Sequence, residues 1–172
     1  MEVYGTCHEP FLKYCSAIAY GKMDTEDLVQ DILLSAYQQF ERIEEKDKML
    51  HYLIRAAKNR MVSRWRRDKH RGEYRDKYAE RLTTSGCSPD LLVDIGHLYE
   101  ALDQLSTSQR DAVILYEISG FSMKEIADMQ GSTEGAVKTK VSRGRNRLKE
   151  ILDTTHGESR SGLAWKQMMM LL

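Results

Sequence analysis

Two clusters of cationic, amide and hydroxyl side chains dominate what this sequence can do chemically. In the stretch His51 to Arg67, Asn59, Arg60, Ser63 and Arg64 fall at i, i+1, i+4 and i+5, so that one helix face can carry all of them. Guanidinium groups hold a phosphate backbone, an amide hydrogen-bonds an exposed base edge, and an aromatic ring stacks on a base. Trp65, Arg66 and Arg67 extend the cluster, which therefore suits unpaired nucleic acid. Tyr52 reads as a core residue, whereas Trp65 fits either the core or the stacking role.

The second cluster lies between Ser122 and Leu152. Ala127, Gly131 and Val137 are spaced by four and six residues. A helix-turn-helix needs a small residue where its helices touch, a glycine able to take positive φ in the turn, and an apolar residue seating the second helix. That second helix would turn Val137, Val141 and Leu148 inward, with Gly144 permitting close approach, and present Glu134, Lys138, Thr139, Ser142 and Arg143 outward. Arg and Lys bind guanine edges in the major groove, and hydroxyls accept or donate. Arg145, Arg147 and Lys149 are expected on phosphate, which positions without specifying sequence. The plainer alternative is a helical hairpin with a basic face.

The elements that must carry these clusters are helices. Pro10 suits the first position of a helix bearing Phe11, Tyr14, Cys15, Ile18 and Ala19. After Gly21, Asp24 can cap a second helix, with Glu26 and Asp27 in its positive first turn. Leu28, Ile32, Leu33, Ala36, Tyr37 and Phe40 form its expected inward stripe. A third pattern runs from about Lys48 to Arg67, with Leu50, Leu53, Ile54, Ala57, Met61 and Trp65 inward. Residues 72–90 lose periodicity and read as a linker. Leu98, Ala101, Leu102 and Leu105 then open a second group. Capping boxes start at Ser106 and Ser122, helix stops fall at Gly120 and Gly131, and Ser132 or Thr133 caps a final helix to about Asp153. The expected fold is all-α, with two small helical domains on a flexible linker.

Charge follows the same division. The chain has 172 residues with 26 Lys plus Arg and 26 Asp plus Glu, yet the signs are segregated. Asp24 to Asp47 holds eight acids and two bases, Arg55 to Lys77 ten bases and three acids, and Lys138 to Lys149 six bases and no acid. Polyanion binding needs basic surface locally, not a basic total. No apolar run approaches the ~20 residues of a membrane span, and Met1 to Pro10 lacks the pattern of a secretory signal. Cys7, Cys15 and Cys87 are too few and too scattered for a disulfide framework, so a cytoplasmic location is expected. Glycine-rich phosphate loops, His-Glu-x-x-His and Cys-x-x-Cys motifs are missing from the sequence. Cys7, His8 and Cys15 lack further metal ligands at suitable spacing. Neither catalysis nor a cofactor is expected.

With these residues in view, three segments resemble bacterial sigma factors. Thr25-Glu26-Asp27-Leu28-Val29-Gln30-Asp31 is similar to the Asp-Ala-Glu-Asp-Leu-Val-Gln core of sigma region two. Arg55 to Arg67 resembles that family's −10 recognition helix. Glu125-Ile126-Ala127, together with Gly135 to Arg145, resembles region four, which reads the −35 element. The pairing of only these two domains resembles the extracytoplasmic-function (ECF) group of the sigma-70 family.

The resemblance implies a transcription initiation factor. Residues 1–72 would form the region-two domain, 73–94 the linker, 95–153 the region-four domain and 154–172 a tail. Asp27, Leu28, Gln30 and Asp31 would dock on the clamp helices of the largest subunit of core RNA polymerase. Asn59 would engage a flipped −10 base, with Arg60, Ser63, Arg64, Trp65, Arg66 and Arg67 around it and residues 65–71 helping to enclose the base. Glu134, Lys138, Thr139, Ser142, Arg143 and Arg145 would face the −35 element of promoter DNA. An anti-sigma factor, which holds many relatives inactive, is a further partner the resemblance suggests. The chain departs from the family pattern at Tyr52-Leu53 (commonly Trp-Leu), at Gly135-Ala136 (commonly Gly-Thr) and at Gly144 (commonly Ala), the last at about 1 kcal/mol of helix propensity. The rival readings are a stand-alone helix-turn-helix regulator and a purely protein-binding helical module. The tail, ending Met168-Met169-Met170-Leu171-Leu172, suits adaptable apolar contacts on its own chain or a partner, the alternative being a disordered end with no role.

Overall fold

A computed structural model describes residues 2–43, 48–65 and 89–156, which fall in two compact units, 1–80 and 81–172. Among the described residues there are helices and turns and no strand.

The first unit contains α1 (Glu2–Ala19), α2 (Thr25–Gln38), a 3-10 turn (Phe40–Arg42) and α3 (Met49–Trp65). Each α-helix packs on the other two. Phe11, Tyr14, Cys15, Leu28, Leu53 and Ala57 meet in the core. Pro10 does not begin α1, as expected, but lies inside it. Proline in the first turn forfeits no hydrogen bond, whereas here one bond is lost; the helix continues because Phe11, Tyr14, Cys15 and Ile18 beyond it are buried. Gly21, at φ 63°, reverses the chain. Asp24 then caps α2, its Oδ1 accepting from the Glu26 N–H at 2.8 Å and the Asp27 N–H at 3.4 Å. Burial pushes the pKa of the Cys15 thiol far up, leaving it a neutral core side chain.

The inward stripe of α2 is narrower than expected. Leu28, Val29, Ile32 and Ala36 are buried, but Tyr37 is 82% exposed and Phe40 37%. Tyr37 follows Ala36 by one residue, about 100° around the helix, and α2 ends at Gln38.

The second unit contains α4 (Pro89–Asp103), α5 (Thr107–Val113), a π turn (Ile114–Ile118), α6 (Met123–Gln130) and α7 (Glu134–His156). Helix α4 begins within the segment expected as linker, with Pro89 at its first position. Leu98, Ala101, Leu102 and Leu105 are buried as expected. The Ser106 hydroxyl accepts from the Gln109 N–H at 3.4 Å, and Arg110 bridges to Asp103 at 2.6 Å across the α4–α5 elbow.

Local signals fix the helix-turn-helix tightly. Ser122 and Glu125 form a reciprocal capping box, with the Ser122 N–H donating to Glu125 Oε2 at 2.8 Å and the Glu125 N–H to Ser122 Oγ at 3.2 Å. Gly131 takes the left-handed conformation, φ 59° and ψ 41°, that ends α6. Thr133 Oγ1 then accepts from the Ala136 N–H at 3.2 Å to cap α7. Helix α7 packs on α4, α5 and α6, burying Val137, Val141, Leu148 and Leu152. At Gly144 a Cβ would stand 2.6 Å from Val113 Cγ2. The departure from alanine at this position is therefore a packing requirement of α5 on α7.

Candidate nucleic-acid interface

Three exposed helix faces carry the expected site residues. On α2, Glu26, Asp27 and Gln30 are exposed and Asp31 half-exposed. Leu28, expected among the docking residues, is fully buried and anchors the helix in the bundle. Leu34, 59% exposed, and Tyr37 lie outward instead. Their spacing from Asp27, Gln30 and Asp31, by threes and fours, puts them on the same stripe, a signal that was available in the sequence.

On α3 the expected single face is divided. Asn59 and Ser63 are exposed beside Arg55, Lys58 and Val62, and Val62 is 46% exposed. Arg60 turns away, its Nη2 donating to Asp31 Oδ2 on α2 at 2.7 Å. An exposed pair of this kind contributes at most about 1 kcal/mol, but it joins one residue assigned to polymerase with one assigned to DNA. Arg64 and Trp65 end the helix; their side chains, together with Arg66 and Arg67, lie outside the described residues. So do the enclosing loop, the rest of the linker and the terminal Met-rich segment.

Helix α7 presents Glu134, Lys138, Thr139, Ser142 and Arg143 to solvent, opposite the buried Val137, Val141, Gly144 and Leu148. The Thr139 hydroxyl donates to the Gly135 carbonyl at 2.9 Å, leaving its oxygen as an acceptor. Asn146, which was not among the expected contacts, is exposed on the same stripe as Thr139 and Ser142.

The six bases of α7 differ in their commitments. Lys140 donates to Gln130 Oε1 at 2.7 Å, tying α7 to α6. Arg147 pairs with Glu150 at 2.9 Å. Arg145, expected among the DNA contacts, directs both Nε and Nη2 to Glu117 Oε1 and lies 5.3 Å from the centroid of the Tyr116 ring. Periodicity alone would leave it outward, but the π turn carries a carboxylate and an aromatic face that hold it. Lys138, Arg143 and Lys149 are the α7 bases with no carboxylate or amide partner among the described residues. No helix among those residues is long and apolar enough to cross a membrane.

Comparison with known proteins converges on one family. A model of sigma-70 region 2 matches residues 4–71, and a model of sigma-70 region 4 matches residues 96–148. The chain is 30% identical over 128 residues to the RNA polymerase sigma factor CarQ of Myxococcus xanthus, covering 74% of each chain. It is 28% identical over 144 residues to the ECF RNA polymerase sigma factor EcfG of Rhodopseudomonas palustris, covering 83% of this chain and 80% of the relative. Its fold is similar to that of sigma factor RpoE of Bartonella quintana, solved in complex with the anti-sigma factor NepR, with a TM-score of 0.62 and 27% identity over 88% of this chain and 95% of that one. The chain belongs to the sigma-70 family of RNA polymerase sigma factors, in its extracytoplasmic-function group.

Proposed function

We propose that this transcription initiation factor, which directs RNA polymerase to promoters, divides recognition between its two units. Residues 1–72 dock on core polymerase through the outward stripe of α2 and capture the −10 strand at Asn59 and Ser63. Residues 95–153 read the −35 duplex through Glu134, Lys138, Thr139, Ser142 and Arg143, and the segment 73–94 links the two. The observation that carries this reading is the sorting of α7, whose outward face holds the polar side chains able to read bases while the opposite face packs on its own unit. Arg143 and Lys138 suit guanine edges, and Glu134 suits the cytosine amino group.

The two contacts are individually weak and salt-dependent. Carried together on one polymerase, they act intramolecularly, so their modest affinities multiply. Extruding a base costs a few kcal/mol. Capture near Asn59 offsets part of that and makes strand opening sequence-selective. The work is binding work: this chain acts in the cytoplasm and performs no catalysis itself. The likeness to a sigma factor solved with an anti-sigma factor supports control by such a partner.

The test is transcription with purified core polymerase. Adding this chain is expected to start RNA at specific sites, and Asn59→Ala is expected to abolish strand opening there. A shift of duplex DNA without core enzyme, and no specific transcript with it, would favour the stand-alone regulator.

A further inference from the structure

The outward face of α7 carries two exposed hydroxyls, Thr139 and Ser142, and their hydrogen bonding differs. Thr139 Oγ1 lies 2.9 Å from the Gly135 carbonyl oxygen, one helical turn back. A carbonyl oxygen only accepts, so the proton in this bond is the hydroxyl's own. β-branching leaves Thr139 few χ1 rotamers in a helix, and the bond to the i−4 carbonyl favours this one. Thr139 therefore meets a partner with lone pairs and no free proton. The Ser142 hydroxyl has no partner among the described residues and can rotate either to donate or to accept.

We propose that Thr139 reads the −35 duplex in one sense only: its oxygen accepts from the exocyclic amino group of an adenine or cytosine and disfavours a thymine or guanine at the same place on that strand. The inference rests on the assignment of α7 to the major groove made above. Adenine N6 and cytosine N4 are donors in that groove, whereas thymine O4 and guanine O6 and N7 are acceptors. Against an acceptor, Thr139 can keep its bond to Gly135 and set lone pair against lone pair. Alternatively it can release Gly135 and exchange one hydrogen bond for another, with no net gain. Against an amino group it keeps the first bond and adds a second. Ser142 carries no such bias. A single neutral hydrogen bond sets the size of the preference, about two- to tenfold in affinity.

The experiment uses the full-length chain with core RNA polymerase on promoter duplexes carrying each single base-pair substitution in the −35 element. Thr139→Val keeps the shape and the methyl groups and removes the hydroxyl, so a methyl contact with thymine would survive it. The position whose preference changes between wild type and Thr139→Val locates the contact. There the amino group alone is removed, with purine in place of adenine or pyrimidin-2-one in place of cytosine. Wild type and Thr139→Ser are expected to lose about two- to tenfold more affinity than Thr139→Val, because altered base pairing affects all three alike. The proposal is overturned if wild type and Thr139→Val lose equally. It is overturned too if they differ on removal of a ring acceptor instead, as with 7-deazaguanine or 7-deazaadenine, since the hydroxyl would then be donating. If no position distinguishes Thr139→Val while Arg143→Ala still relaxes one, the groove assignment stands and the acceptor role falls. If neither variant changes any preference, the assignment of α7 to the −35 duplex fails, and this inference with it.

Discussion

The two units solve the problem of presenting cations to nucleic acid in different ways. In the second, the presenting helix is held from several directions: a threonine cap, a left-handed glycine before it, a glycine against Val113, and lysine and arginine contacts to α6 and the π turn. In the first, an exposed ion pair between α2 and α3 ties the presenting surface to its neighbour. A duplex offers a rigid pattern of base edges, and reading it rewards a preset surface. An unpaired strand has no fixed shape until it is held, and binding it makes less demand on a preset surface.

The largest test of this contrast is Leu28→Ala. Because Leu28 is fully buried, the change is expected to cost about 2–5 kcal/mol, read by thermal or denaturant unfolding of the first unit. A loss of polymerase affinity with unchanged stability would instead make Leu28 a docking residue. Next is Arg143→Ala, expected to weaken −35 binding by about 1–3 kcal/mol and to relax preference at one base pair. Competition among singly substituted promoter duplexes checks it, with single-strand binding as the insensitive control.

Gly144→Ala sharpens the account of rigidity. Helix propensity favours alanine by about 1 kcal/mol, but the new Cβ meets a stiff, buried valine. We expect a net destabilisation of about 1 kcal/mol or more, relieved when Val113→Ala is added. The smallest effects separate committed from uncommitted charges. Lys149→Ala is expected to lower the salt slope of duplex binding by about one ion, whereas Arg147→Ala, already paired with Glu150, changes it little. Equal slopes for the two would remove the distinction.

Much of this was legible in the sequence, for identifiable reasons. Capping at Asp24 and Ser122, the glycine turn at Gly131 and the outward set on α7 depend on short-range spacing, which the sequence displays directly. The position of Pro10 within α1 was not legible, because a local rule for proline cannot weigh the burial of residues beyond it. Arg60 and Arg145 were placed on faces by periodicity alone. Their partners, Asp31 and Glu117, come from other elements, and no spacing rule brings those together. The π turn compounds this, since its extra residue changes which side chains leave the end of α5 together. The burial of Leu28 was not legible either, because the family role was assigned to a segment as a whole, whereas only some sides of a helix face outward.

One consequence of the internal pairing on α7 reaches beyond the promoter. A chromosome offers on the order of 10⁶ or more irrelevant binding sites, and adsorption to them rises with each cation a protein can lend to phosphate. With Arg145 and Arg147 paired to carboxylates on their own unit, the helix has less net positive charge to lend to arbitrary sequence. Weaker adsorption of that kind would leave more of the factor free to meet polymerase.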